Sequence, residues 1–302
     1  MHDDQCSCGC HHPPNTLRTF ARRKDPTNTN RIRVRFEQEV NRRFASLRRL
    51  IKEALLVQDV MGLNVNARAP GRQAFKFLRS GDKVSAFMEW LKRSEDELIF
   101  GVVPGTSIAS SANSSWMNIY LDSAYQRGLA QSAGLLEAAG VAVSQAWRDN
   151  AFFRPVHADR VGLIYTRVYT DLYGITEVMD RGISTVLARG LAEGRNPESM
   201  ARDIVKQVDG VGRHRARLLA RTEVVAAHAE ASLNSYKEAG LEGVNVKAEW
   251  STAGDDRVCE ECAAMEGKTF SIDDSYGMIP LHPNCRCAFI PVVLSPEGKA
   301  LI

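Results

Sequence analysis

The stretch Glu238-Ala239-Gly240-Leu241-Glu242-Gly243-Val244-Asn245-Val246-Lys247-Ala248-Glu249-Trp250 contains the point where the hydrophobic period of the chain changes. From Arg213 to Glu238 the pattern is helical, and Gly240 closes the helix. Beyond it Val244, Val246, Ala248 and Trp250 alternate with Asn245, Lys247 and Glu249. A period of two predicts a half-buried strand. A second strand follows at Ala288–Leu294 (A-F-I-P-V-V-L). Pro291 has no N–H to give a ladder, which places that strand at a sheet edge.

Upstream of this point the sequence reads as helices. Ile32, Phe36, Val40, Phe44, Leu47, Ile51 and Leu55 recur at steps of three and four, so Arg31–Val57 is one long amphipathic helix with a mostly arginine polar face. Asn28 or Asn30 is expected to cap it. Met61–Gly71 reads as a loop, with helices over Gln73–Leu78 and Lys83–Ser94; Val84, Phe87, Met88 and Leu91 line the second, with Trp90 beside them. Ser107–Ser115 reads as an exposed connection, and a helix runs from there towards Ala139. Arg154-Pro155 marks a break, Asp159–Leu191 is one long or two broken helices, and Asn196 caps a helix that begins at Pro197. No internal repeat is present. The expected fold is mostly α: an elongated helical body with a small zinc-stapled α+β C-terminal module. The expected parts are a Cys-rich tail (1–30), a helical region with a basic first helix (31–150) and a C-terminal domain ending in the Cys/His module (151–302).

With 302 residues, 44% hydrophobic and 25% charged, the chain has the composition of a globular protein. No apolar run approaches the roughly 18 residues of a membrane helix. Met1–His12 lacks the apolar centre of a secretory leader, so a cytoplasmic origin is expected. The net charge of +3 hides an asymmetry: residues 18–49 carry eleven basic residues against three acidic ones. A basic arm on a mildly acidic body suggests a polyanionic or acidic partner; a solvated helix face is the competing reading.

Seven cysteines fall in two clusters: Cys6, Cys8 and Cys10 at one end, Cys259, Cys262, Cys285 and Cys287 at the other. The second cluster reads Cys259-x2-Cys262, then His282-x2-Cys285-x-Cys287. A C-x2-C knuckle puts two thiolates on one turn, and a returning segment can complete a tetrahedral shell of the soft S/N donors that Zn2+ prefers. Five side chains (Cys259, Cys262, His282, Cys285 and Cys287) compete for four positions, with His282 either a ligand or an outer partner. The alternatives are two disulfides, disfavoured in a reducing cytoplasm, and a Cys/His nucleophile, for which four close cysteines are ill suited. Cys6, Cys8, Cys10, His11 and His12 are too closely spaced to wrap one ion and receive no role.

The combination is specific. A helix with Ala220-Arg221-Thr222-Glu223, Ala227 and Ser235-Tyr236 leads to a strand ending in Trp250. Then come Asp256-Arg257-Val258-Cys259-x-x-Cys262, Gly267-Lys268 and His282-Pro283-Asn284-Cys285-Arg286-Cys287. This resembles the phage Mu F-like head morphogenesis family from about residue 160 to 294. The Phe87–Leu91 and Trp116–Gly128 segments are similar to full-length members. The resemblance implies a minor capsid protein of the virion, near the portal or in the procapsid interior. Expected partners are portal, scaffold or major capsid proteins, with host cytoplasm as the site of assembly. It brings no catalytic residues, no small-molecule substrate and no membrane association.

A second stretch bears on DNA. Val208–Leu219 (V-D-G-V-G-R-H-R-A-R-L-L) resembles a helix-hairpin-helix, in which Gly210 and Gly212 would open the backbone to a phosphate while Arg213, Arg215 and Arg217 add charge. A plain interhelix turn is the competing reading. Arg221 and Glu223 diverge around a helix, so they are expected to dock it to the zinc module rather than form an acid–base pair. The function read from the sequence is structural. The alternatives are non-specific DNA binding and, less favoured, a zinc-dependent hydrolase or nuclease using His282 and Asp256.

Overall fold

The structure is a computed structural model that describes residues 25–62, 80–102, 107–241, 243–295 and 300. The expected helix at 73–78 and residues 1–24 of the expected tail lie outside the described residues; in the remainder of that tail, Thr27 and Thr29 are buried.

The chain is mostly helical. In order come α1 (Asn30–Lys52) with a π-helical turn (Glu53–Val57), α2 (Ser80–Glu95) with a second (Asp96–Phe100), α3 (Ile108–Asn113) and α4 (Asn118–Ala138). There follow α5 (Gln145–Asn150) with a 3-10 turn (Ala151–Phe153), α6 (Pro155–Ala192), α7 (Pro197–Lys206), a π-helical stretch (Gln207–Arg213) and α8 (His214–Leu241). The C-terminal part holds β1 (Asn245–Ser251), α9 (Glu260–Ala263), β2 (Thr269–Phe270), α10 (Ile272–Ser275) and β3 (Ala288–Leu294). The sheet order is β2-β1-β3, antiparallel throughout, with Ala248 opposite Pro291 and Trp250 opposite Phe289. Pro291 therefore does sit on an edge strand. Asp159–Leu191 proves to be part of one continuous helix. Asn196 caps α7, its Oδ1 accepting from Glu198 N at 2.7 Å. Two local expectations differ. Ser107 Oγ accepts from Ser110 N and starts a short helix where a connection was expected. At α1 the cap comes from Asp25, whose Oδ2 accepts from Asn30 N at 2.7 Å.

Contacts divide the chain into two compact units: the described residues of Val34–Asn118 with Ile164–Arg221, and those of Met1–Arg33, Ile119–Leu163 and Thr222–Ile302. In the first, the α1 stripe Phe36, Val40, Phe44, Leu47 and Ile51 is buried together with Phe87, Leu91 and Phe100. Arg43 stacks over Trp116 at 4.2 Å and donates to Leu98 O at 3.1 Å, a carbonyl in the π turn that Gly101 ends in left-handed conformation. Glu95 is fully buried. Burial, then the Asp180 carboxyl, push its pKa well up, against the pull of Lys92.

In the second unit, α4 and α8 approach closely at Gly128, where a Cβ would lie 2.6 Å from His228 O. A chain of polar groups crosses the interior. Tyr276 Oη donates to Asn234 Oδ1 at 2.5 Å, and Asn234 Nδ2 donates to Tyr125 Oη at 2.8 Å. Tyr125 Oη bonds His157 Nδ1 at 2.8 Å, and His157 Nε2 lies 3.2 Å from Glu238 Oε2. Glu238 also accepts from Trp147 Nε1. Such groups are stable inside only when each finds a partner.

His228 is fully buried, with Nε2 3.3 Å from Gln131 Oε1 and Nδ1 without a partner. Since Gln131 Oε1 only accepts, Nε2 carries the proton, and a second proton on Nδ1 would meet no acceptor. Burial accordingly lowers its pKa to about 4 from 6.5. A depressed histidine pKa means the unfolded chain binds the extra proton first, so this contribution is complete above pH 6.5 and is lost as pH falls towards 4. The stability difference between wild type and His228→Leu, from urea unfolding, should therefore shift against wild type by about 3 kcal/mol between pH 7 and pH 4.

Candidate metal centre

The turn after β1 delivers the first pair of sulfurs. Cys259 has extended backbone and N-caps α9, its Sγ accepting from Cys262 N at 3.4 Å. One helical turn thus brings both thiols to the same side. The second group arrives on the strap before β3. Cys285 N donates to His282 O at 3.1 Å, closing a turn in which Asn284 takes a left-handed φ of 66°. His282 Nδ1 lies 2.8 Å from Pro283 O, which can only accept. Nδ1 therefore carries the proton and the Nε2 lone pair is free. Nε2 is 3.2 Å from both Cys259 Sγ and Cys262 Sγ. Cys262 Sγ is 3.9 Å from Cys285 Sγ.

The five donors fall into two triples that share Cys262: Cys259, Cys262 and His282, and Cys262, Cys285 and Cys287. All four cysteines are free thiols, with Cys259 exposed and the others buried. The 3.9 Å separation is far from a disulfide of about 2.05 Å. It is close to the edge of a tetrahedron with Zn–S bonds of about 2.3 Å, an edge of ~3.8 Å. The acidities alternate. The hydrogen bond from Cys287 pulls Cys285 down to about 5, and the Cys262 N–H lowers Cys259. Burial pushes Cys262 up to about 12, and Cys287 is raised through its bond with Cys285. A coordinating sulfur is deprotonated, so a thiophilic cation entering here would displace the thiol protons. The donor set fits a metal of the zinc class.

The other singled-out residues lie elsewhere. The backbone is helical through α7, Gln207–Arg213 and α8, so Gly210 and Gly212 form no hairpin turn. Gly212 is small for packing: a Cβ there would lie 2.6 Å from the Phe44 ring and 2.7 Å from Met179. Arg213 faces Asp209 at 3.5 Å and Arg217 pairs with Glu37, leaving Arg215 as the exposed member of the set. Arg221 Nε donates to Glu37 Oε2 of α1 at 2.6 Å, and Glu223 is buried. Asp256 is exposed on its turn, whereas its neighbour Asp255 holds Arg286. Sequence reasoning missed Asp255; the only signal was its place in the same Asp-Asp-Arg run.

The fold and site together define a mostly helical protein with a Cys/His-bearing three-stranded module after its last long helix. Residues 181–290 match the family described as Phage Mu protein F like protein, a span that includes all five donors. No curated protein and no solved structure matches. No described helix is long and apolar enough to cross a membrane.

Because both triples contain Cys262, Cys262→Ser is expected to abolish metal uptake. Cys287→Ser, outside the triple that contains His282, should weaken it less. Metal content after dialysis against one equivalent of Zn2+ checks both.

Proposed function

We propose that the protein is a minor head protein of a phage or prophage. It acts structurally in head assembly, at the portal or procapsid interior, with a zinc-bound C-terminal module. The observation that carries this is the Phage Mu F match across the whole Cys/His module. In this reading residues 31–150 form a helical region that binds portal or scaffold protein. Residues 151–302 form the Mu F-like region, and Zn2+ takes its ligands from Cys259, Cys262, His282, Cys285 and Cys287. The ion would hold the knuckle to the strap and supply no reaction. The virion is the expected location.

Co-expression with the portal, scaffold and major capsid proteins encoded beside it tests the reading. A stable complex with the portal protein, retained in 0.5 M salt, is the expected result. Normal heads assembled without this chain would sink it.

Non-specific DNA binding is the second reading. It is favoured by Arg35 and Arg49, exposed on α1 fourteen residues apart and hence within about 40° of one line along the helix. Duplex DNA should be retarded at 50 mM salt, and reversing the charge of the two arginines should lower the salt slope by about 2. An unchanged slope, or no retardation, rejects it.

A further inference from the structure

We infer that Asp255 and Arg286 are positioning residues of the metal centre, forming a clamp that sets its two ligand-bearing segments in register before the ion arrives. The inference rests on the metal reading above.

The centre has a mechanical problem. Cys259 and Cys262 come from one turn, His282, Cys285 and Cys287 from a strap some twenty residues later. A tetrahedral ion tolerates little error between such halves. Arg286 lies between two of the donors, and its side chain reaches to the other segment. Its Nη1 donates to Asp255 Oδ2 at 2.7 Å and its Nη2 to Asp255 Oδ1 at 2.5 Å. Two parallel bonds between planar groups fix angle as well as distance, which a single ammonium contact does not.

Asp255 is in turn built into the turn that presents Cys259. Val258 N donates to Asp255 O at 3.1 Å and Arg257 N to Asp255 Oδ1 at 3.2 Å. Arg257 Nη2 adds a bond to Oδ2 at 3.0 Å. The carboxylate therefore ties the loop leading into the knuckle to the centre of the strap. The side chains of Asp255 and Arg286 are 16% and 15% exposed, so the pair is not one of the solvated surface contacts that contribute nothing measurable. Neither residue has a donor atom in the sulfur–nitrogen cluster, so both act through the ligands they hold.

Outer partners of this kind change metal affinity by about 10–100-fold when removed. The test uses the full chain and competition with a chromophoric chelator for Zn2+ and for Co2+. Asp255→Asn should weaken both metals by 10–100-fold, with Arg286→Lys between it and wild type. The ligand-field bands of the Co2+ form should shift or lose intensity in both variants, a signature that general loss of stability does not produce. Arg286→Lys keeps the charge and the stem, so it remains informative if Asp255→Asn folds poorly. Wild type that binds metal, with Asp255→Asn giving the same dissociation constant and cobalt spectrum, overturns the clamp and leaves the metal reading standing. Wild type that takes up neither metal removes the metal reading, and the clamp with it.

Discussion

The hydrogen bond from Tyr236 Oη to Phe289 O, 3.1 Å long and fully buried, is the joint on which the C-terminal module depends. The sheet itself is meagre: two seven-residue strands and one of two residues. So small a sheet is marginal unless a helix covers it. Helix α8 does so with Val225, Ala229, Leu233 and Tyr236, spaced four, four and three apart. Against them lie Trp250 and Phe289, packed edge to face at 5.8 Å. Tyr236 contributes its ring to this core, and its hydroxyl supplies a donor to a strand carbonyl. Burial raises that phenol far above its ordinary pKa, so it stays a donor at any physiological pH. Edge strands invite pairing with other chains. Here β3 is buried along all but its last residue.

Much of this was readable in one dimension because it depends on period. The switch from helical spacing to alternation at Val244 marks β1, and the stripe from Phe36 to Ile51 marks the buried face of α1. The Cys/His donors were legible because soft ligands at such spacing have few other uses. The glycines were ambiguous for a physical reason. A glycine that frees the backbone for a turn and one that admits a neighbouring ring look the same in sequence. At Gly212 the ring of Phe44, 168 positions earlier, decides between them. The pairing of Asp255 with Arg286 and the raised pKa of Glu95 beside Asp180 depend on partners brought in by the fold, and no local pattern announces them.

Charge shows the same distinction between counting and placement. The basic segment promised a polyanion-binding face, yet several of its arginines are engaged within the first unit. Arg42 and Arg43 both bond Glu39, Arg48 reaches Asp209 at 3.0 Å, and Arg43 also caps carbonyls beneath Trp116. Glu37 gathers Arg217 and Arg221. With these pairs discounted, the outward field comes from fewer residues than the sequence suggests. A salt-dependent attraction scales with the cations free to displace counterions, not with the total.

The donor set also bears on what the centre does. Catalytic zinc sites keep a position open for water or substrate, and three protein ligands are their usual complement. Here five sulfur and nitrogen donors crowd around Cys262, none of them a carboxylate, and the imidazole lone pair is already directed at two sulfurs. Asp256, the carboxylate that a hydrolase reading would use, is turned out to solvent, and Asp255 is committed to arginines. The donor types are those of closed structural zinc sites, which accords with the staple proposed above for so small a sheet.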